Sequence, residues 1–119
     1  MLLQVLKSKL KQVTVTDANV NYEGSLTLDP ALMEAANLVN NERVEVNAVH
    51  GKERLVTYVI PGHLMSGQVE MNGGMANFFK PGDKVHVNCF ALVDSPEEAI
   101  SHKPTVVFTD ERNMITEIK

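Results

Sequence analysis

Apolar and polar residues alternate with a period near two along most of this chain, the pattern of strands that bury one face. Residues 2–20 alternate loosely. Leu6, Leu10, Val13 and Val15 are apolar, with Lys7, Lys9, Lys11 and Thr14 between them, and Val13-Thr14-Val15-Thr16 is the most strand-prone part. The same period sets Lys7, Lys9 and Lys11 on one strand face, either a solvated edge guarded by charge or a cationic wall for a carboxylate ligand. Tyr22 to Leu28 reads as extended. Asp29-Pro30 then opens a helix of about two turns: Asp29 is the N-cap, Pro30 the first helical residue, and Leu28 with Met33 the hydrophobic staple. Arg43 to Val49 and Arg54 to Ile60 are strands around a turn at His50-Gly51, with Arg54, Val56 and Tyr58 on one face and Thr57 on the other.

Val69 to Met71 leads into a tight glycine turn at Asn72-Gly73-Gly74, and Met75 to Phe79 has room for one helical turn. Lys84 to Val93 reads as the longest strand. Ser95-Pro96-Glu97-Glu98 is a capping box opening a short helix, and Thr105 to Phe108 and Met114 to Ile118 close the chain around a turn at Asp110 to Asn113. About seven short strands, two small helices and dense turns predict a single mainly β domain, a sandwich or small barrel. Periodicity does not choose between those topologies.

Composition narrows the function classes. At 119 residues, with 44% hydrophobic and 22% charged residues, the chain is an ordinary globular domain with a real core. A net charge of -4 with no basic run argues against nucleic acid as the partner, and aromatic content of 5% without tryptophan argues against a base-stacking platform. No apolar stretch reaches the roughly 20 residues that span a bilayer, so no membrane role is expected. Met1 to Lys7 reads as a first strand rather than a signal peptide. Cys89 alone excludes an internal disulfide and is compatible with a cytoplasmic location.

Few residues are left to carry chemistry. His50, His63, His86 and His102 are widely spread and there is no second cysteine, so no metal is expected. Gly73-Gly74 lacks the spacing and trailing Lys-Ser/Thr of a phosphate loop, and Ser25 is not in a Gly-x-Ser-x-Gly elbow. Glu97-Glu98 is explained by capping and Cys89 by a core position. What remains is Gly24-Ser25, Arg54 and Tyr58 on one strand face, and the early lysines: cations for carboxylates, a phenol for proton transfer and a hydroxyl for attack. By local rules Gly24-Ser25 is a turn; the alternative is a bond that Ser25 cuts by attacking the Gly24 carbonyl.

The chain resembles the pyruvoyl-dependent aspartate 1-decarboxylases over essentially its whole length. The likeness is carried by Leu-x-x-Lys-Leu (6 to 10), Val-Thr-Asp-Ala-Asn-Val-Asn-Tyr-Glu-Gly-Ser (15 to 25), Arg-x-x-Thr-Tyr (54 to 58), Asn72-Gly73, Pro81-Gly82-Asp83, and His102-Lys103-Pro104 with Val-Val-Phe-Thr-Asp-Glu-Arg-Asn (106 to 113). The resemblance implies a double-psi β-barrel with short helices, assembled as a homotetramer with active sites between subunits. It also implies a zymogen that cuts itself between Gly24 and Ser25 into residues 1–24 and 25–119, Ser25 becoming a covalently bound pyruvoyl group.

The implied activity is conversion of L-aspartate to β-alanine and carbon dioxide for pantothenate biosynthesis, through a Schiff base between the substrate amine and that group. Thr57 matches the hydroxyl supporting cleavage, and it also lies at the substrate site. Tyr58 matches the proton donor, and Lys9 and Arg54 the carboxylate ligands. Asn72, Gly73, Gly74 and Met75 match a turn contacting the substrate, and Tyr22 a residue near the site. A maturation factor is a possible further partner.

Two departures stand out: Lys11 replaces a usual histidine, and Gly74-Met75 replaces small alanines. Two rivals stay open: a barrel that never cleaves and binds a small acidic ligand or partner protein, and a pyruvoyl decarboxylase shifted to another substrate such as glutamate.

Overall fold

The computed structural model describes residues 1–119 as a mainly β fold with short helices. The strands are β1 (Leu3–Thr14), β2 (Asp17–Asn19), β3 (Leu26–Leu28), β4 (Arg43–Ala48), β5 (Arg54–Pro61), β6 (Val69–Asn72), β7 (Lys84–Val93), β8 (Thr105–Thr109) and β9 (Ile115–Ile118). There are nine strands rather than about seven; β9 falls where a closing strand is expected, whereas β2 is a three-residue piece too brief to separate by alternation from the turn beside it. The longest is β1, at 12 residues, not β7 at 10. Lysines hid its length: with one face solvated, the first half of β1 reads as only loosely alternating.

The helices follow the capping chemistry. In α1 (Pro30–Ala35) the Asp29 carboxylate accepts from Ala31 N–H at 2.9 Å, with Pro30 at the first helical position. Asp29 is 1% exposed, and burial of a carboxylate is costly unless it is satisfied. It also accepts from Met65 N–H at 2.8 Å and Gly67 N–H at 2.9 Å, which moors the loop before β6 to the end of β3. In α2 (Pro96–Ser101) the Ser95 hydroxyl accepts from Glu98 N–H at 3.1 Å. Residues 73–79 differ from expectation: the helical turn begins at the glycines, as a 3-10 turn over Gly73–Asn77.

The strands hydrogen-bond in the order β2-β6-β3-β5-β4-β7-β1-β8-β9. Strand β1 runs into β2 after Val15 and Thr16, so the chain itself joins the two ends of the row β2 to β1. Hydrogen bonds seal that junction: Val15 N–H donates to Asp83 O at 2.8 Å, and Thr16 N–H to Val69 O at 2.8 Å. The row therefore curls into a barrel-like ring, which removes exposed edges, and the β8–β9 hairpin covers the remaining edge of β1. The β3–β5 and β2–β6 pairs are parallel and thus need long crossovers; α1 and β4 supply the first. Inside lies one cluster of 20 buried hydrophobics, including Leu10, Leu26, Val44, Val46, Val59, Met71 and Val87.

Pairing assigns the outer face of β1-β7-β4-β5. Lys9 opposes Asn88, Asn88 opposes Glu45, and Glu45 opposes Val56; one step along, His86 opposes Asn47 and Asn47 opposes Arg54. Leu10, Val87, Val46, Leu55 and Thr57 alternate to the inner side. Arg54, Val56 and Tyr58 thus share the outer face, as the alternation predicted. The three lysines of β1 do not share it. A bulge between Leu6 and Ser8 turns Lys7 aside, and its ammonium donates to Asn37 O at 2.7 Å and Glu42 Oε2 at 2.6 Å, closing off the end of α1.

Candidate functional site

The Gly24–Ser25 bond lies at the start of β3, where the chain passes from exposed residues 20–24 into buried residues 25–29. Ser25 is 1% exposed, and its side is set by Leu26: with Leu26 in the core, Ser25 and Thr27 face the other way. Strand β6 runs antiparallel beside β3, with Leu26 opposite Met71. One residue further, Asn72 N–H donates to Ser25 O at 3.0 Å, and the Asn72 amide donates to Ser25 Oγ at 3.0 Å and Thr27 Oγ1 at 2.8 Å. The Ser25 hydroxyl in turn donates to Glu23 O at 3.2 Å. The hydroxyl therefore reaches back along the chain, past Gly24, to Glu23 while the Asn72 amide fixes its oxygen.

Gly24 and Gly73 touch backbone to backbone. A Cβ added at Gly73, whose φ is +67°, would stand 2.6 Å from Gly24 Cα, 2.7 Å from Gly24 N and 3.1 Å from Tyr22 O. A Cβ at Gly24 would meet only Asn72 O, at 4.0 Å. The residue that must be glycine for space and conformation is therefore Gly73, and the left-handed backbone lies across the contact rather than at the Gly24–Ser25 peptide.

On its other side β3 pairs in parallel with β5, Leu26 beside Val59. Continued by one and two places, that register sets Ser25 alongside Tyr58 and Gly24 alongside Thr57. Tyr58 shares the outer side with Ser25; Thr57 opposes buried Val44 on the inner side. The structure thus gathers Gly24, Ser25, Asn72 and Gly73 in direct contact, with Thr57 and Tyr58 on the adjoining strand. Gly74 follows in the 3-10 turn with nothing within 4 Å of a Cβ, and Met75 is 8% exposed, packed in the core cluster. Tyr22 is 52% exposed.

Lys9 and Arg54 are not at this bond. Arg54 lies four residues from Tyr58, about 13 Å at the rise of a strand, and Lys9 is three strands from β5 on the same face. The chain's ion pairs are Lys7–Glu42, Lys84–Glu111 and Lys119–Glu117, so Lys9, Lys11, Arg43 and Arg54 carry none. Lys11 rests over the Phe108 ring, 5.4 Å from its centre. Lys9 and Arg54 are thus not neutralised by the chain's own carboxylates.

Thr27 belongs to the site and sequence reasoning missed it; the available signal was its place two residues after Ser25, on the same strand face. A cavity of about 530 Å³ does not include Ser25: it lies beyond the 3-10 turn, between His50, Glu53, Phe78 and Lys80. The site is a partly buried strand end rather than an enclosed pocket. No three His, Cys, Asp or Glu side chains converge to hold a metal, and no helix is long and apolar enough to cross a membrane.

The sequence family described as aspartate decarboxylase matches residues 1–116. Among curated proteins, an aspartate 1-decarboxylase of Caldicellulosiruptor saccharolyticus is 45% identical over 118 residues, covering 99% of this chain and 91% of that protein. One of Clostridium beijerinckii is 45% identical over 118 residues, covering 99% and 94%. One of Parabacteroides distasonis is 47% identical over 110 residues, covering 92% and 94%. On matches of that identity and extent, the chain belongs to the aspartate decarboxylase family, and it is a decarboxylase.

Proposed function

We propose that this enzyme decarboxylates L-aspartate to β-alanine, using a pyruvoyl group that it makes from its own Ser25. The observation that carries the reading is the Ser25 hydroxyl, buried, held by Asn72 and bonded back along the chain to Glu23 O, in a chain of this family. Attack of Ser25 Oγ on the Gly24 carbonyl carbon closes a five-membered ring. The C–N bond breaks, the nitrogen takes the hydroxyl proton, and an ester replaces the amide. Loss of the Ser25 α-proton then expels the Gly24 carboxylate and leaves dehydroalanine, which water converts to pyruvoyl with release of ammonia. The products are residues 1–24 and a blocked 25–119. The Thr57 hydroxyl, on the strand beside Gly24, would donate to the oxyanion of the first step.

The residues around Ser25 suit that group: Asn72 Oδ1 is a buried acceptor without a partner, and Gly73 gives backbone access where a side chain would block it. The pyruvoyl carbonyl supplies an electron sink for the pair released as carbon dioxide leaves. Around it, Tyr58 delivers a proton to the substrate α-carbon. Arg54 and Lys9 hold the substrate carboxylates, Arg54 by a two-pronged contact. Asn72, Gly73, Gly74 and Met75 form the turn that borders the substrate. The span between Arg54 and Tyr58 exceeds aspartate, which favours a site completed by a second copy. Val56, Phe90 and Leu92, 51%, 39% and 59% exposed on the cationic face, supply apolar area for that contact and support the homotetramer. The reading places the enzyme in the cytoplasm, serving pantothenate synthesis.

Intact mass of the purified chain tests the first half: two fragments are expected, and a single full-length species after prolonged incubation would leave the uncleaved barrel as the better reading. Ser25→Ala should abolish cleavage and turnover together. Borohydride trapping on the larger fragment tests the substrate, with an aspartate adduct expected; glutamate trapping in its place would reassign it.

A further inference from the structure

In β1, Lys11 and Gln12 together oppose the single residue His86, a bulge that puts Gln12 at φ +56°. A left-handed backbone at a residue with a side chain is disfavoured, and bulges of this kind commonly re-aim groups beside a site. Here the bulge aims Gln12 N–H at the imidazole, donating to His86 Nδ1 at 3.1 Å. With Nδ1 accepting, the neutral ring carries its proton on Nε2. The next residue across the sheet is Asn47, whose side-chain oxygen is buried and has no partner, and beyond it is Arg54.

We infer that His86 is an additional substrate-binding residue, a neutral Nε2–H donor that joins Lys9 and Arg54 in receiving a carboxylate of an amino diacid. The inference rests on the L-aspartate reading proposed above. Of the charged groups facing the ring, the cations oppose an imidazolium: Lys9 and Lys11 from β1, Arg54 two strands away on β5, and Lys84 on its own strand; Glu45 on β4 is the one carboxylate that favours it. Burial, and then the charges of Lys9 and Lys11, hold the imidazole below its ordinary 6.5. Protonation would also set Nδ1–H against Gln12 N–H, so the bulge opposes the imidazolium a second time. A neutral donor adds a directed hydrogen bond where a further cation would repel Lys9 and Lys11.

Two measurements test this on the full chain. In the processed enzyme, His86→Leu should raise KM for aspartate about tenfold, the loss of one hydrogen bond to a charged group, with kcat little changed. His86→Gln keeps an amide N–H near the Nε2 position and should hold KM close to wild type. Nitrogen-15 spectra of the histidine rings near pH 7.5 should show His86 protonated at Nε2 only, and succinate should shift that signal. An unchanged KM in His86→Leu, a ring protonated at Nδ1, or no response to succinate would overturn the assignment. Because succinate binding needs no turnover, the two readings fail separately. A wild-type chain that answers succinate but makes no β-alanine refutes the L-aspartate reading, and an active one indifferent to His86 refutes this one.

Discussion

Gly73→Ala isolates the contact on which self-cleavage is proposed to depend. The added methyl would sit 2.6 Å from Gly24 Cα and 2.7 Å from Gly24 N, where unstrained carbon contacts lie near 3.5–4.0 Å. One backbone must therefore retreat by roughly 1 Å. Residue 73 is fixed at its N-terminal side by Asn72, which is fully buried and bonded to Ser25 and Thr27, whereas Tyr22, Glu23 and Gly24 are exposed. The 22–24 loop is the side that yields, carrying the Gly24 carbonyl away from Ser25 Oγ. Stability then falls chiefly by the left-handed penalty of alanine at φ +67°, about 1–2 kcal/mol. Cleavage falls much further, by about a hundredfold, the usual consequence of a 1 Å misplacement of reacting atoms.

Intact mass followed over time gives the cleavage rate, and denaturant unfolding gives the stability. Gly74→Ala is the internal control, because its Cβ would meet nothing within 4 Å and its φ is not left-handed; it should cleave near the wild-type rate. Wild-type cleavage in Gly73→Ala, or equal slowing in Gly74→Ala, would refute the close-contact argument.

Asn72→Ala removes the amide that donates to Ser25 Oγ and Thr27 Oγ1 inside the fold. Denaturant titration should show a loss of about 1–3 kcal/mol, and mass analysis a slower cleavage. The Cys89 thiol, pushed up to about 11 by burial and by its bond to the Glu42 carboxylate, should resist iodoacetamide at pH 8 in the folded chain and react once urea unfolds it. Burial alone would raise the Glu42 pKa, but Lys7, Val39 N–H and the Cys89 thiol outweigh it and hold the carboxyl below its ordinary 4.5. His86 is likewise lowered from 6.5. In both cases the unfolded chain binds more protons, so stability is present at neutral pH and declines as pH falls below about 6.5 and again below about 4.5. Thermal melts from pH 8 to pH 4 should follow that order, and His86→Gln should remove the first decline alone.

The strands flanking the site were legible because burial obeys a period of two: Arg54, Val56 and Tyr58 fall on one face and Thr57 on the other, as the residues imply. The N-caps at Asp29 and Ser95 were legible because one side chain answers one local N–H. The ring was not, since nothing local in Val15 and Thr16 says that their N–H groups will meet Asp83 and Val69. Nor was the reason for Gly73. Asn-Gly-Gly reads as a turn that needs glycine for its own backbone, whereas what forbids a side chain is Gly24, a residue far away in sequence and adjacent only through the pairing of β3 with β6.

The lysines of β1 show the same limit at finer scale, and they also show how one strand serves several purposes. A strict period of two gives Lys7, Lys9 and Lys11 one shared environment. Two bulges, between Leu6 and Ser8 and between Leu10 and Val13, divide them instead. Lys7 is spent on Glu42 and the end of α1, and Lys11 is drawn over Phe108. Only Lys9, between the bulges, stays in register with Asn88 and carries neither an ion pair nor an aromatic contact. Two of the three charges are thus held in place by the fold, and the third remains available to an incoming carboxylate. On that argument Lys9→Met should raise KM for aspartate more than Lys11→Met does, and equal effects would mean that the bulges do not sort the lysines by function.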